Sequence, residues 1–150
     1  MNHISHRFTI DLPPDTCWAK LRDLTLADRY VPSVHAVDID TAEQEGVGAS
    51  RTVHLDRGMK MNETVEEWHD GQGFLLRLHR GDAPIAPLFS ANTFRYAIEP
   101  EGHVTAMTLT MSYEPRGAIT GVICRLVAAP MFERQLKEIG ARLKAFYEAS

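Results

Sequence analysis

The change of hydrophobic period near residue 116 constrains this chain more than any other feature. Over residues 48–114 apolar and polar residues alternate through a string of hairpins, and over residues 117–150 they recur at three- and four-residue steps. A period of two describes strands with one buried face; a period near 3.6 describes a helix with one apolar stripe. The two surfaces can bury each other, giving a twisted antiparallel sheet closed by one amphipathic helix with a cleft between them. The pattern points to a hydrophobic pocket more clearly than to a reaction.

A chain of 150 residues is one ordinary domain, spanning residues 1–150 and able to bury roughly 70% of the surface its unfolded form exposes. With 44% hydrophobic and 24% charged residues of both signs, the composition is that of a soluble globular protein and argues against disorder. The 16 basic residues are interspersed with 20 acidic ones, for a net charge of -4, so no clustered basic face marks a nucleic-acid partner. The opening residues through Arg7 lack the apolar core of a secretory signal. The longest apolar stretch, residues 118–132, contains Arg125 and Pro130 and falls short of the ~20 apolar residues of a membrane span. The expectation is a cytoplasmic monomer or homodimer whose two cysteines, Cys17 and Cys124, are buried reduced thiols.

Phe8, Ile10 and Leu12 alternate with Arg7, Thr9 and Asp11 as a first strand. Pro14 suits the first turn of a short helix carrying Trp18, Leu21 and Leu24, and a second short helix capped by Thr25 must stop before Pro32. Residues 34–40 read as a strand and 43–48 as a glycine-containing turn. If Asp56-Arg57-Gly58 is the next turn, Leu55 faces Met59, Val53 faces Met61 and Arg51 faces Glu63 on the apolar side. If Gly71-Gln72 is a two-residue turn, Trp68 lies opposite Leu75, Val65 opposite Leu78 and Glu63 opposite Arg80, with Glu66 and Arg77 paired on the outer face. Arg51 and Arg80 would then flank Glu63. The last hairpin, turning near Glu101-Gly102, sets Asn92, Phe94, Tyr96 and Ile98 against Thr105, Met107, Leu109, Met111 and Tyr113. Ile119, Val122, Ile123, Leu126, Phe132, Leu136, Ile139, Leu143 and Phe146 form the stripe of one long final helix, kinked at Pro130.

This order of elements resembles the START-like helix-grip superfamily, in its polyketide cyclase/dehydrase and lipid-transport branch, over essentially the whole chain. The resemblance rests on the opening run from Phe8 to Trp18, Tyr30-Val31-Pro32, Glu45-Gly46-Val47-Gly48 with Arg51, Gly58 with the run from Glu63 to Trp68, and the run from Tyr113 to Gly117. It implies an α+β helix-grip fold: a seven-stranded antiparallel sheet wrapped around a long C-terminal helix, with two short helices after strand 1. It also implies a ligand cavity between sheet and helix, used by different members for lipids, hormones or aromatic polyketides.

Catalytic signatures are missing from the sequence. Gly46-Val47-Gly48 lacks the third glycine and the following helix of a dinucleotide fingerprint, and there is no phosphate loop, nucleophile elbow or His-Glu-x-x-His. The seven histidines never share ligand spacing on one face, so neither a metal nor another cofactor is expected. Three functions remain. The first is binding of a small hydrophobic or aromatic ligand by Arg51, Val53, Met61, Glu63, Leu78, Arg80, Asn92, Phe94, Tyr96, Met107, Leu109, Met111, Tyr113 and Leu126. In the second, a cyclase/aromatase or dehydratase uses the same cavity; in the third, an interaction module has a filled core. Arg51 with Glu63 and Arg80 is either a guanidinium anchor for a ligand oxyanion or a structural ion pair between strands. Asn92, Tyr96 and Tyr113 are either ligand-orienting groups or satisfied core residues.

Overall fold

The computed structural model of the protein describes residues 1–149. Eight strands form one antiparallel sheet: β1 (Asn2–Ile10), β2 (Ala36–Ile39), β3 (Ser50–His54), β4 (Lys60–His69), β5 (Gly73–Arg80), β6 (Ala83–Pro84), β7 (Phe89–Glu101) and β8 (Val104–Pro115). Seven run in the order β1-β8-β7-β5-β4-β3-β2, and the two-residue β6 pairs with β5 beside them. The expected seven-stranded sheet is therefore present with one small addition, and β1 extends to six residues before Phe8 because Asn2 through Ile10 all pair with β8.

Helix α1 (Pro14–Leu21) starts on Pro14 and buries Cys17, Trp18 and Leu21. A 3-10 helix, Leu24–Arg29, comes next. Its cap is Asp23 rather than Thr25: the Asp23 carboxylate accepts from the Thr25 amide at 3.0 Å and from the Thr25 hydroxyl at 2.6 Å. A carboxylate ahead of Thr25 satisfies both donors, which moves the helix start back to Leu24.

The β3–β4 register is the expected one, with Arg51 opposite Glu63 and Val53 opposite Met61. The β4–β5 register differs. Three residues, 70–72, separate the paired His69 and Gly73, and a bulge lies between Val65 and Glu67, so Trp68 faces Phe74, Val65 faces Leu76, Thr64 faces Arg77 and Glu63 faces Leu78. The extra residue in β4 shifts every pair beyond it. Arg80 consequently pairs with Ala83 of β6 and is exposed, away from Glu63. At Gly73 the strands approach closely: with φ +143, a Cβ there would stand 2.0 Å from the Tyr96 carbonyl oxygen.

The C-terminal span is α2 (Gly117–Ile123), a π-helical turn Cys124–Ala128, and α3 (Ala129–Glu148). Pro130 sits in the first turn of α3, directly after the π turn, so its missing N–H falls where the ladder is already rearranged. The widened turn inserts a residue and rotates the α2 side chains by about 100° relative to those of α3. The buried seam is Cys124, Ala128, Phe132, Leu136, Ile139, Leu143 and Tyr147. Ile119, at 81% exposure, Val122, Ile123 and Leu126, at 70%, face solvent instead of the core. Phe146 is half-buried beside the fully buried Tyr147. The twenty residues of α3 span about 30 Å. Gly140 lets α3 settle on β1: a Cβ at this position would lie 3.0 Å from His6 Cδ2 and 3.0 Å from Phe8 Cε1.

Candidate functional site

Because α3 presses on β1 at one side of the sheet, the other side of the inner face is only partly covered. There a cavity of about 220 Å³ remains. Its wall on the sheet side is Arg51, Leu55, Met61, Glu63, Leu78, Phe94, Tyr96 and Met111. Its roof is Gln135, Glu138 and Ile139 of α3, and its rim is Ala27 with the loop carrying Val31, Pro32, Ser33 and Val34.

The polar floor is the Arg51–Glu63 pair, 2% and 9% exposed. Adjacent strands place these residues directly opposite each other, and Arg51 Nε donates to Glu63 Oε1 at 2.7 Å while Nη2 lies 2.6 Å from the same oxygen. Arg51 Nη1 donates to the Leu24 carbonyl at 2.5 Å, tying the 3-10 helix to the sheet. Burial alone would depress the guanidinium, but the Glu63 carboxylate, with Tyr30 and Tyr96, more than offsets it and the net shift is upward. Arg51 is charged throughout the physiological range.

Beside this pair stand two phenols. Burial pushes the Tyr30 hydroxyl up, opposed by Arg51 and by a hydrogen bond with Tyr96, and burial raises Tyr96 further still. Both therefore stay protonated at ordinary pH. Their rings join an aromatic run: Trp18 packs edge-on to Trp68 at 5.3 Å, Trp68 stacks on Phe74 at 5.4 Å, Phe74 meets Tyr96 at 5.2 Å, and Tyr96 meets Phe94 at 4.8 Å and Tyr30 edge-on at 6.3 Å.

Of the side chains singled out in the sequence, Arg51, Met61, Glu63, Leu78, Phe94, Tyr96 and Met111 border this cavity. Val53, Met107 and Leu109 are fully buried in packed regions of the core, and Tyr113 packs between Phe89 and Phe132 at 5.5 Å from each. Arg80 and Leu126 are exposed, the first because of the β4 bulge and the second because of the π turn. Asn92 is buried, and among the described residues neither its amide nitrogen nor its oxygen finds a hydrogen-bond partner. Together with Leu78 it borders a second, broader groove of about 660 Å³, where β5 leaves β7 beyond the Arg77–Thr93 pair and Arg77, His79, Arg95, Thr110 and Ser112 supply a polar outer surface. That groove opens on the outer face of the sheet, away from the helix.

The rim and roof residues carry little signal in the sequence. Gln135 and Glu138 lie outside the apolar stripe of Phe132, Leu136, Ile139 and Leu143, and within residues 31–34 only Val34 carries a strand-start signal. Tyr30-Val31-Pro32 is the one indication, since a proline-ended segment after a short helix turns the chain back across the sheet end.

A sheet curled about a C-terminal helix, with a small cavity between them, defines a START-like helix-grip domain. The sequence profile for polyketide cyclase / dehydrase and lipid transport matches residues 1–148, and the chain belongs to that family. No curated protein sequence matches it. Among solved structures it is similar to the Zhui aromatase/cyclase of a Streptomyces species, with 19% identity over 98% of this chain and 93% of that one and a TM-score of 0.73. It is also similar to ginseng major latex-like protein 151 from Panax ginseng (12% identity, 97% of each chain, TM-score 0.75). The XoxI protein of Bacillus cereus gives 12% identity over 98% of this chain and 96% of that one, with a TM-score of 0.74. At these identities the likeness is one of fold.

Proposed function

We propose that the protein binds a small, largely apolar aromatic molecule between its sheet and α3, and holds it without chemical change. The observation that carries this reading is the 220 Å³ cavity itself, walled by Phe94, Tyr96, Met61 and Met111 and left open above a paired Arg51 and Glu63. An apolar cavity of about 150 Å³ accommodates benzene, so this one suits a ligand of one or two rings, below the roughly 300 Å³ or more of drug-sized sites. Thioether walls adapt to ligand shape at little cost. An open cavity also favours binding over an interaction module with a filled core.

Turnover is the weaker reading. General acid–base work needs a group poised near the working pH, whereas burial pushes the Tyr30 and Tyr96 hydroxyls upward. The buried free thiols Cys17 and Cys124 suit a reducing compartment, which supports a cytoplasmic location; among the described residues no helix is long and apolar enough to cross a membrane.

Native mass spectrometry tests the proposal. The purified protein is expected to carry, or to take up from a small aromatic panel, one molecule that is lost on denaturation and excluded by Met61→Trp. Equal uptake by Met61→Trp, or no uptake by the parent protein, would contradict it.

A further inference from the structure

We infer that the cavity selects a neutral ligand bearing a hydrogen-bond donor, of the phenol or aromatic-alcohol class, and rejects the corresponding carboxylate. This rests on the binding function proposed above and specifies its ligand. Both Arg51 nitrogens that reach Glu63 converge on Oε1, at 2.7 and 2.6 Å. Oε2 accepts no hydrogen bond from the described residues, and Glu63 borders the cavity. The cavity thus presents an unused carboxylate oxygen beside a charge that is already neutralised.

Among the described residues that border the cavity, Arg51 is the one cation, against Glu63 and Glu138. Arg51 is engaged with Glu63 and with the Leu24 carbonyl, and Glu138 lies 3.6 Å from Arg142 at the helix surface. A ligand carboxylate would therefore place a second anion next to Glu63, with no spare cation among the described residues to offset it. A hydroxyl or N–H donor meets the opposite situation: it gives Oε2 the charge-assisted bond that the fold leaves open. The ring then lies against Phe94 and Tyr96 and between the Met61 and Met111 thioethers.

The test uses three probes of nearly one shape: 2-naphthol, 2-methoxynaphthalene and 2-naphthoate, titrated into the full chain at neutral pH. 2-Naphthol is expected to bind at least about tenfold more tightly than either of the others, the worth of a hydrogen bond to a charged group. In Glu63→Gln the Arg51 charge is no longer neutralised, and the preference is expected to move at least about tenfold towards 2-naphthoate. If 2-naphthoate or 2-methoxynaphthalene binds the parent protein as tightly as 2-naphthol, the donor rule is overturned while the aromatic cavity stands. If none of the three binds, the binding function falls and the donor rule with it. Should Glu63→Gln not fold, the ranking on the parent protein alone decides.

Discussion

The two ends of the inner sheet face are built from similar residues and finish differently. At one end Ile10, Cys17, Met107, Leu109, Leu143 and Tyr147 are all fully buried, closed over by α1 and the second half of α3. At the other end Arg51, Met61, Glu63, Leu78 and Met111 line a space that the first half of α3 roofs without filling. The difference lies in the side chains that meet the sheet. Gly140 draws α3 down onto His6 and Phe8, while Gln135 and Glu138 stand over the opposite strands, and neither gives the apolar knob that an ion pair flanked by thioethers would need to be covered. Packing density is reached where apolar side chains oppose one another; over the Arg51–Glu63 pair the helix brings Gln135 and Glu138, and space remains.

Alkaline unfolding should test the sealed end most severely. Tyr30, Tyr96 and Tyr147 are raised chiefly by burial, whereas unfolded phenols ionise near pH ~10. The native state therefore holds more protons above that pH, so stability is full below about pH 10 and falls as pH rises towards the folded values. Phenolate absorbance should rise together with loss of the circular dichroism signal; ionisation ahead of unfolding would mean that the rings are not sealed.

Next in size is the ion pair. Arg51→Ala or Glu63→Ala strands one buried charge and should cost about 3–5 kcal/mol in denaturant melts, whereas the double variant Arg51→Met/Glu63→Leu should cost less than either. A double variant worse than both singles would show that the pair does more than neutralise itself. Leu109→Ala, in the sealed end, should lose about 2–5 kcal/mol through a new cavity, and Met61→Ala, beside existing space, no more than about 1–2 kcal/mol. Equal losses would erase the contrast between the two ends. Asn92→Leu removes two unsatisfied buried polar atoms and should stabilise by about 1 kcal/mol, read as a raised Tm. Smallest of all, Leu126→Ser on the exposed face of the π turn should stay within about 0.5 kcal/mol of the parent.

Much of the fold is legible in local pattern. The Asp56-Arg57-Gly58 turn sets the β3–β4 register because Arg57 takes the left-handed conformation at φ +60 and Gly58 continues it at φ +72, so alternation counted outward from that turn places Arg51 opposite Glu63. The β4–β5 register is not legible, because a bulge beside Glu66 leaves alternation intact on both sides while moving Arg80 away from Glu63 and Leu78 into its place. The stripe from Ile119 to Leu126 misleads for a related reason: one residue inserted in a π turn preserves apolar composition and changes which face is buried. Half of the cavity is legible for the same reason that the sheet is, since Phe94, Tyr96 and Met111 obey strand parity. The remainder, Gln135, Glu138 and the loop at residues 31–34, depends on how far α3 stands from the sheet, a distance set by Gly140 on the other side of the helix.

Methyl NMR with labelled methionine separates binding in the cavity from binding on the surface. The six methionines include Met61 and Met111 at the cavity, Met107 in the sealed core and Met131 on the exposed helix face. Saturation with 2-naphthol is predicted to shift the Met61 and Met111 methyl signals and leave Met107 and Met131 in place. Shifts at Met131 with Met61 and Met111 unmoved would contradict the cavity and move the binding to the outside of the helix.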